Sequence, residues 1–208
     1  QTLTAGGVTF AYRELGVDNP GPPVVCLIHL AAVLDNWDPR VVDGIAAKHR
    51  LITFDNRGVG ASSGSPSTSM EEMGHDAITF IKARGFDQVD LFGFSMGGMV
   101  AQEIVQIAPQ LVRRMIITGT GPAGGEGISQ VARMTYLDML RGWLTFQDPK
   151  QFLFFTRTPG GIRAGQAFLA RLKERAQNRD KEITVTALQA QLIAAEPMSG
   201  YGLARLFE

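Results

Sequence analysis

This 208-residue chain predicts an α/β fold, a mostly parallel sheet with helices on both faces, on three observations. Short apolar, β-branched runs alternate with helical patterns as far as Gly119, the pattern of strands joined by helical crossovers. A serine between glycines, in LFGFSMGGMVAQEIV (91–105), stands where one apolar run gives way to a helical one. Beyond GTGPAGGEG (119–127) the texture changes, and nearly everything reads as helix.

The elements follow in order. GGVTFAYREL alternates like a strand, with Gly6-Gly7 as a hairpin turn. The loop signal Asn19-Pro20-Gly21-Pro22-Pro23 precedes Val24 to His29, a continuous apolar run expected of a strand buried on both faces. Leu51 to Phe54, Val89 to Phe92 and Met115 to Thr118 are further runs of this kind. Helices are expected between them, over 41–48, 70–84 and 96–107. After the connector, ISQVARMTYLDMLRGWL (128–144), DPKQFLFF (148–155), AGQAFLARLKERAQN (164–178) and TVTALQAQLIAA (184–195) read as helices. A helical section that leaves from a strand end is what an inserted lid looks like. The expected organisation is a core over 1–121, a helical cap over 122–200, and a segment at 201–208 returning toward further core strands.

Composition narrows the function classes. Apolar residues make up 45% and charged residues 19%, ordinary for a globular protein and wrong for disorder. Lys plus Arg and Asp plus Glu are both 20, so the net charge is zero, which argues against electrostatic binding to nucleic acid or membranes. The run ARLKERAQNRDKE (170–182) mixes both signs and reads as a solvated helix face. Cys26, the single cysteine, cannot form an intrachain disulfide and is expected as a buried small hydrophobe. No apolar run reaches membrane-spanning length, and a cytoplasmic setting is expected.

Gly93-Phe94-Ser95-Met96-Gly97 matches G-x-S-x-G between a strand pattern and a helix pattern. A turn this tight lifts the Ser95 hydroxyl above the sheet's carboxyl edge and aims the helix N-terminus at a reacting carbonyl. The Met96 N–H then serves as one oxyanion donor, worth about 3 kcal/mol of transition-state stabilisation when well aimed. The competing reading is a glycine-rich turn in which Ser95 merely caps the helix.

These residues resemble the α/β-hydrolase fold family, and the resemblance spreads beyond the elbow. Phe54-Asp55-Asn56-Arg57-Gly58-Val59-Gly60-Ala61-Ser62 looks like the family's D-x-R-G-x-G-x-S segment. Leu34-Asp35-Asn36-Trp37 resembles the stretch after its third strand. GFSMGGMVAQ is similar to the elbow of its lidded, esterase-like and cofactor-free perhydrolase branches. The motifs run in the family's order from residue 6 to about 125, and 126–200 resembles the cap more loosely.

The resemblance implies a serine hydrolase acting on an acyl ester, with no cofactor and no metal. Ser95 is the implied nucleophile and Met96 an implied oxyanion donor. The second donor comes from the loop after Val24 to Ile28: counting back from Trp37 makes it Leu30, with Ala31 as the fallback. His29, His49 and His75 all stand away from the position where the family keeps its base. His29 is expected to position its loop, and His49 and His75 to be exposed. Glu126 is expected in a solvated loop. The final SGYGLARLFE looks like the segment leading from the cap into a further core strand, so the triad acid and histidine are expected beyond Glu208. Met115 to Thr118 is then expected as an apolar edge, to be covered by self-association or a complementary C-terminal fragment. Phe152, Phe154, Phe155, Met134, Met139 and Trp143 make the cap apolar and suit a small apolar ester. Two alternatives stand beside this reading: a cofactor-free perhydrolase or haloperoxidase-like enzyme, and an inactive fragment or binding scaffold.

Overall fold

The computed structural model describes residues 1–122, 137–138, 141–142 and 144–195, and all structural statements concern these. Gly6 and Gly7, with φ of 56° and 77°, turn β1 (Thr2–Ala5) back into β2 (Val8–Leu15), pairing Ala5 with Val8. β3 (Val24–Leu27), β4 (Leu51–Phe54), β5 (Val89–Phe94) and β6 (Val112–Thr118) complete one six-stranded sheet, in the order β1-β2-β4-β3-β5-β6. β2 joins β4 antiparallel, whereas β4, β3, β5 and β6 run parallel. β3 is thus the point from which the chain winds outward in both directions, and loops at the carboxyl ends of strands part there to leave a crevice.

The parallel strands are buried on both faces, as their continuous apolar runs require. Val25, Leu27, Ile52, Phe54, Val89 and Leu91 pack on one side with α2 (Met70–Ala83) and α3 (Met96–Ile107). Phe80 of α2 stacks on Phe54 at 4.6 Å and meets Phe10 edge-on. On the opposite face Val24, Cys26 and Leu51 pack with Trp37 and with Val42 of α1 (Pro39–Ala46). Cys26 is fully buried there, and burial pushes its thiol far above the ordinary range.

Three expectations are corrected in detail. β3 ends at Leu27 rather than His29, because the backbone leaves the sheet toward Ala31, which takes a φ of 61°. β5 and β6 are longer than their apolar runs, since register between them recruits Gly93, Phe94, Val112 and Arg114, with Arg113 bulged out of the pairing. Beyond β6 come α4 (Lys150–Phe154), α5 (Pro159–Arg171) and α6 (Val185–Ala195), with no further strand among the described residues. α5 starts five residues before the expected 164–178 helix, where the Thr158 hydroxyl caps the Gly161 N–H and Pro159 takes the first helical position.

These later helices dock on the sheet domain through specific contacts. Arg171 of α5 makes a two-pronged ion pair with Asp38, the N-cap of α1. α6 buries Ala194 among the α2–α3 core and Ala187 against Val33 and Val59. Between them, Asp180 donates its N–H to Asp35, which also pairs with Arg13 of β2. The 128–144 helix, Glu126, Met134, Met139, Trp143 and SGYGLARLFE lie wholly or largely outside the described residues. β6 exposes Met115, Ile116 and Ile117, with Ile116 62% accessible, as an apolar edge would.

Candidate active site

The sheet brings two loops side by side. Leu27, the last residue of β3, is in register with Gly93 of β5, so the chain leaving each strand emerges at the same edge. Ser95 follows β5 and opens α3 with φ 55° and ψ −118°, a region costly for any residue with a Cβ. Its N–H donates to the Thr118 carbonyl at 2.9 Å, and its own carbonyl accepts the Gly98 N–H at 2.8 Å. Its hydroxyl makes no capping hydrogen bond to the helix. The strained backbone therefore does not serve capping, and the side chain, half-buried, is left for another use.

The glycines are demanded by contact. A Cβ on Gly93 would lie 2.6 Å from the Gly97 carbonyl oxygen, and one on Gly97 would lie 1.9 Å from that of Leu27. The first turn of α3 is thus pressed against the end of β3. Met96, first in that helix, has no carbonyl one turn earlier to accept its N–H, and the helix dipole favours negative charge beside it.

Across from it runs the loop Ile28–Ala31. Gln191 of α6 accepts the Ala31 N–H on its Oε1 at 2.8 Å, which occupies the fallback donor and holds Ala31 at its positive φ. Leu30 is half-buried, packed against the α2–α3 core, and its carbonyl lies 2.7 Å from His29 Nδ1. Gln191, 1% exposed, gave no signal in sequence: it sits in a helix of small apolar residues, and only docking of α6 brings it to this loop.

His29 is 4% exposed, its ring edge-on to Phe94 at 5.3 Å and to Phe154 of α4 at 5.0 Å. Burial lowers its pKa to about 4 against the smaller opposing effect of the Leu30 carbonyl, so the imidazole is neutral at pH 7. His49 and His75 are exposed, as expected. Of Phe152, Phe154 and Phe155, only Phe154 reaches His29 and Phe94 among the described residues. Phe155 packs on Phe168, and Phe152 lies under the Arg141 guanidinium, lining a cavity of about 580 Å³ with Gln151, Arg157 and Lys173.

The Asp55 segment is a scaffold beneath the loops. Asp55 Oδ1 accepts the Leu34 N–H at 2.9 Å, and its carbonyl accepts from the Ser62 hydroxyl, which in turn accepts the Ala11 N–H. Arg57 pairs with Asp76 of α2. Among the described residues no cluster of three or more His, Cys, Asp or Glu is placed to hold a metal ion.

A strand, a strained serine and a glycine-lined turn into a helix decide the family when set beside known proteins. The family model described as alpha/beta hydrolase fold matches residues 22–192. The chain belongs to the α/β-hydrolase fold family. It is similar to an alpha/beta hydrolase fold protein from Chitinophaga pinensis, 34% identical with a TM-score of 0.90, covering 97% of this chain and 72% of that one. The enol-lactonase from Burkholderia xenovorans LB400 shares the fold, with a TM-score of 0.69 at 17% identity over 99% of this chain and 75% of that one. The protein named non-heme bromoperoxidase BpoC of Mycobacterium tuberculosis H37Rv is 32% identical over 114 residues, 54% of this chain and 42% of that relative. The chain thus spans less than half of that curated relative and about three quarters of the solved neighbours. Among the described residues no helix is long and apolar enough to cross a membrane.

Proposed function

We propose that the protein is a serine hydrolase acting on an acyl ester. Ser95 attacks the carbonyl carbon, the Met96 and Leu30 N–H groups receive the developing oxyanion, and a general base from outside the described residues takes the serine proton. The observation that carries this reading is the Ser95 backbone: φ of 55° with a hydroxyl unused for capping is strain that a structural serine would not need. The occupied Ala31 N–H favours Leu30 over Ala31 as second donor. Phe154 and Phe94 beside His29 support a small, largely apolar acyl group under the cap. The single, unpaired, buried cysteine supports a cytoplasmic setting, and the apolar residues of β6 support a further segment or a second copy covering that edge.

Similarity to the protein named as a non-heme bromoperoxidase supports a second reading, in which peroxide replaces water as acceptor of the acyl group. The test is an intact mass of the full-length protein before and after a fluorophosphonate probe, with Ser95→Ala as control. One adduct, lost in Ser95→Ala, is expected; no adduct with a folded protein favours a noncatalytic scaffold. Ester turnover with and without peroxide then separates hydrolysis from perhydrolysis.

A further inference from the structure

Buried polar atoms in a folded protein are almost all hydrogen-bonded, and each exception calls for an explanation. Among the described residues, His29 Nε2 is fully buried and has no hydrogen-bond partner. Its chemical character is set by the other nitrogen. Nδ1 lies 2.7 Å from the Leu30 carbonyl, which can only accept, so Nδ1 carries the proton. The neutral ring then presents a lone pair at Nε2, an acceptor with nothing to accept.

The place of this lone pair bears on the site. His29 immediately precedes Leu30, and its ring touches Phe94, which immediately precedes Ser95. Phe154 covers it from α4. The imidazole therefore projects from the Ile28–Ala31 loop onto the ring that precedes Ser95, between two aromatic rings that offer no donor of their own. As a general base it is poorly suited, since burial makes its protonated form costly and Nδ1 is already committed. As an acceptor it needs no charge.

We propose that His29 is a specificity residue whose Nε2 accepts a hydrogen bond from an O–H on the acyl chain of the substrate, selecting hydroxyacyl esters over their deoxy parents. The proposal rests on the Ser95 reading for the location of the acyl group. Its selectivity follows from asymmetry: a hydroxyacyl group donates to the buried acceptor, whereas an all-carbon chain leaves it unpaired.

The experiment uses the full-length protein and nitrophenyl esters of butyric acid and of its 2- and 3-hydroxy derivatives. For at least one hydroxy ester, kcat/KM is expected to exceed the parent's by about 10-fold or more. His29→Asn can keep the donor to the Leu30 carbonyl while removing the acceptor, and the ratio falls toward one. His29→Gln can return an oxygen close to the Nε2 position, and the ratio recovers. A merely structural role for His29 would slow all three esters together and leave the ratio standing. A wild-type ratio near one for every hydroxy ester, or a ratio undiminished in His29→Asn, overturns the proposal. Binding of the same esters to Ser95→Ala reads the contact without chemistry: a preference of about 10-fold is expected, lost when His29→Asn is added. Preferential binding without turnover by the wild type would sink the hydrolase reading and leave the His29 contact standing. Turnover without preference would do the reverse.

Discussion

Gly97, in the first turn of α3, lies so close to Leu27 at the end of β3 that a Cβ on it would stand 1.9 Å from the Leu27 carbonyl oxygen. Backbone meets backbone there, so no side chain can swing aside. Gly97→Ala is expected to lower stability by about 3 kcal/mol and to move Ser95 relative to the Ile28–Ala31 loop. Urea denaturation checks the first effect, and fluorophosphonate labelling of Ser95 the second.

Ser95 should behave as a strained residue whatever its chemistry. Its φ of 55° and ψ of −118° suit glycine, so Ser95→Gly is expected to be more stable than Ser95→Ala by about 1 kcal/mol, after glycine's greater unfolded-state freedom is subtracted. Equal midpoints for the two variants would remove the strain argument for a functional serine.

Asp38 joins two parts of the molecule. It caps the Arg40 N–H at the start of α1 and receives both prongs of Arg171 from α5. Asp38→Ala is expected to cost about 1 to 2 kcal/mol, more than Arg171→Ala, because it removes the cap as well as the ion pair. The Arg171 hydrogen bond holds the Asp38 carboxyl below its ordinary pKa. Its contribution is therefore full above the unfolded value and is lost as pH falls through the lowered one. Denaturation of both variants at pH 7 and at pH 3 should show their difference from wild type shrinking in acid.

Asp55 should give the opposite pH slope. A Cβ on Gly60 would lie 2.5 Å from an oxygen of Asp55 and 2.5 Å from one of Asp180, which shows how closely the two carboxyls converge. Burial first, then Asp180, raises the Asp55 pKa to about 9. A raised carboxyl contributes stability below its unfolded pKa that is lost as pH rises through the folded one, so wild-type stability should decline from pH 5 to pH 9. Asp55→Asn keeps an oxygen for the Leu34 N–H and offers Asp180 a donor at every pH, and should flatten that decline. An unchanged slope in the variant would rule out Asp55 as the source of the decline.

Gln191→Leu leaves the Ala31 N–H without its acceptor at 2.8 Å and is expected to destabilise by about 1 to 2 kcal/mol. Gln191→Glu, which buries an unpaired carboxylate at a 1% exposed position, should lose at least as much at pH 7. Thermal midpoints of the two variants decide it.

Much of the core was legible because its signals are local. Gly6-Gly7 prescribes a hairpin, the Val24, Leu51 and Val89 runs prescribe strands buried on both faces, and the spacing of Ser95 among glycines prescribes a strained strand-to-helix turn. The boundaries that strayed did so where partners decide them: β5 and β6 lengthen through pairing, and α5 begins at a cap whose Thr-Pro signal outweighed the apolar spacing downstream. The sequence by itself determined the order of elements, the elbow and the candidacy of Ser95 and Met96, because each depends on residues adjacent in the chain. Only tertiary structure decided that Gln191 occupies the Ala31 N–H and that His29, against Phe94 and Phe154, buries Nε2 without a partner among the described residues. Those facts join residues up to 160 positions apart, and no local pattern of hydrophobicity or turn chemistry carries information about which distant polar atoms will be buried together.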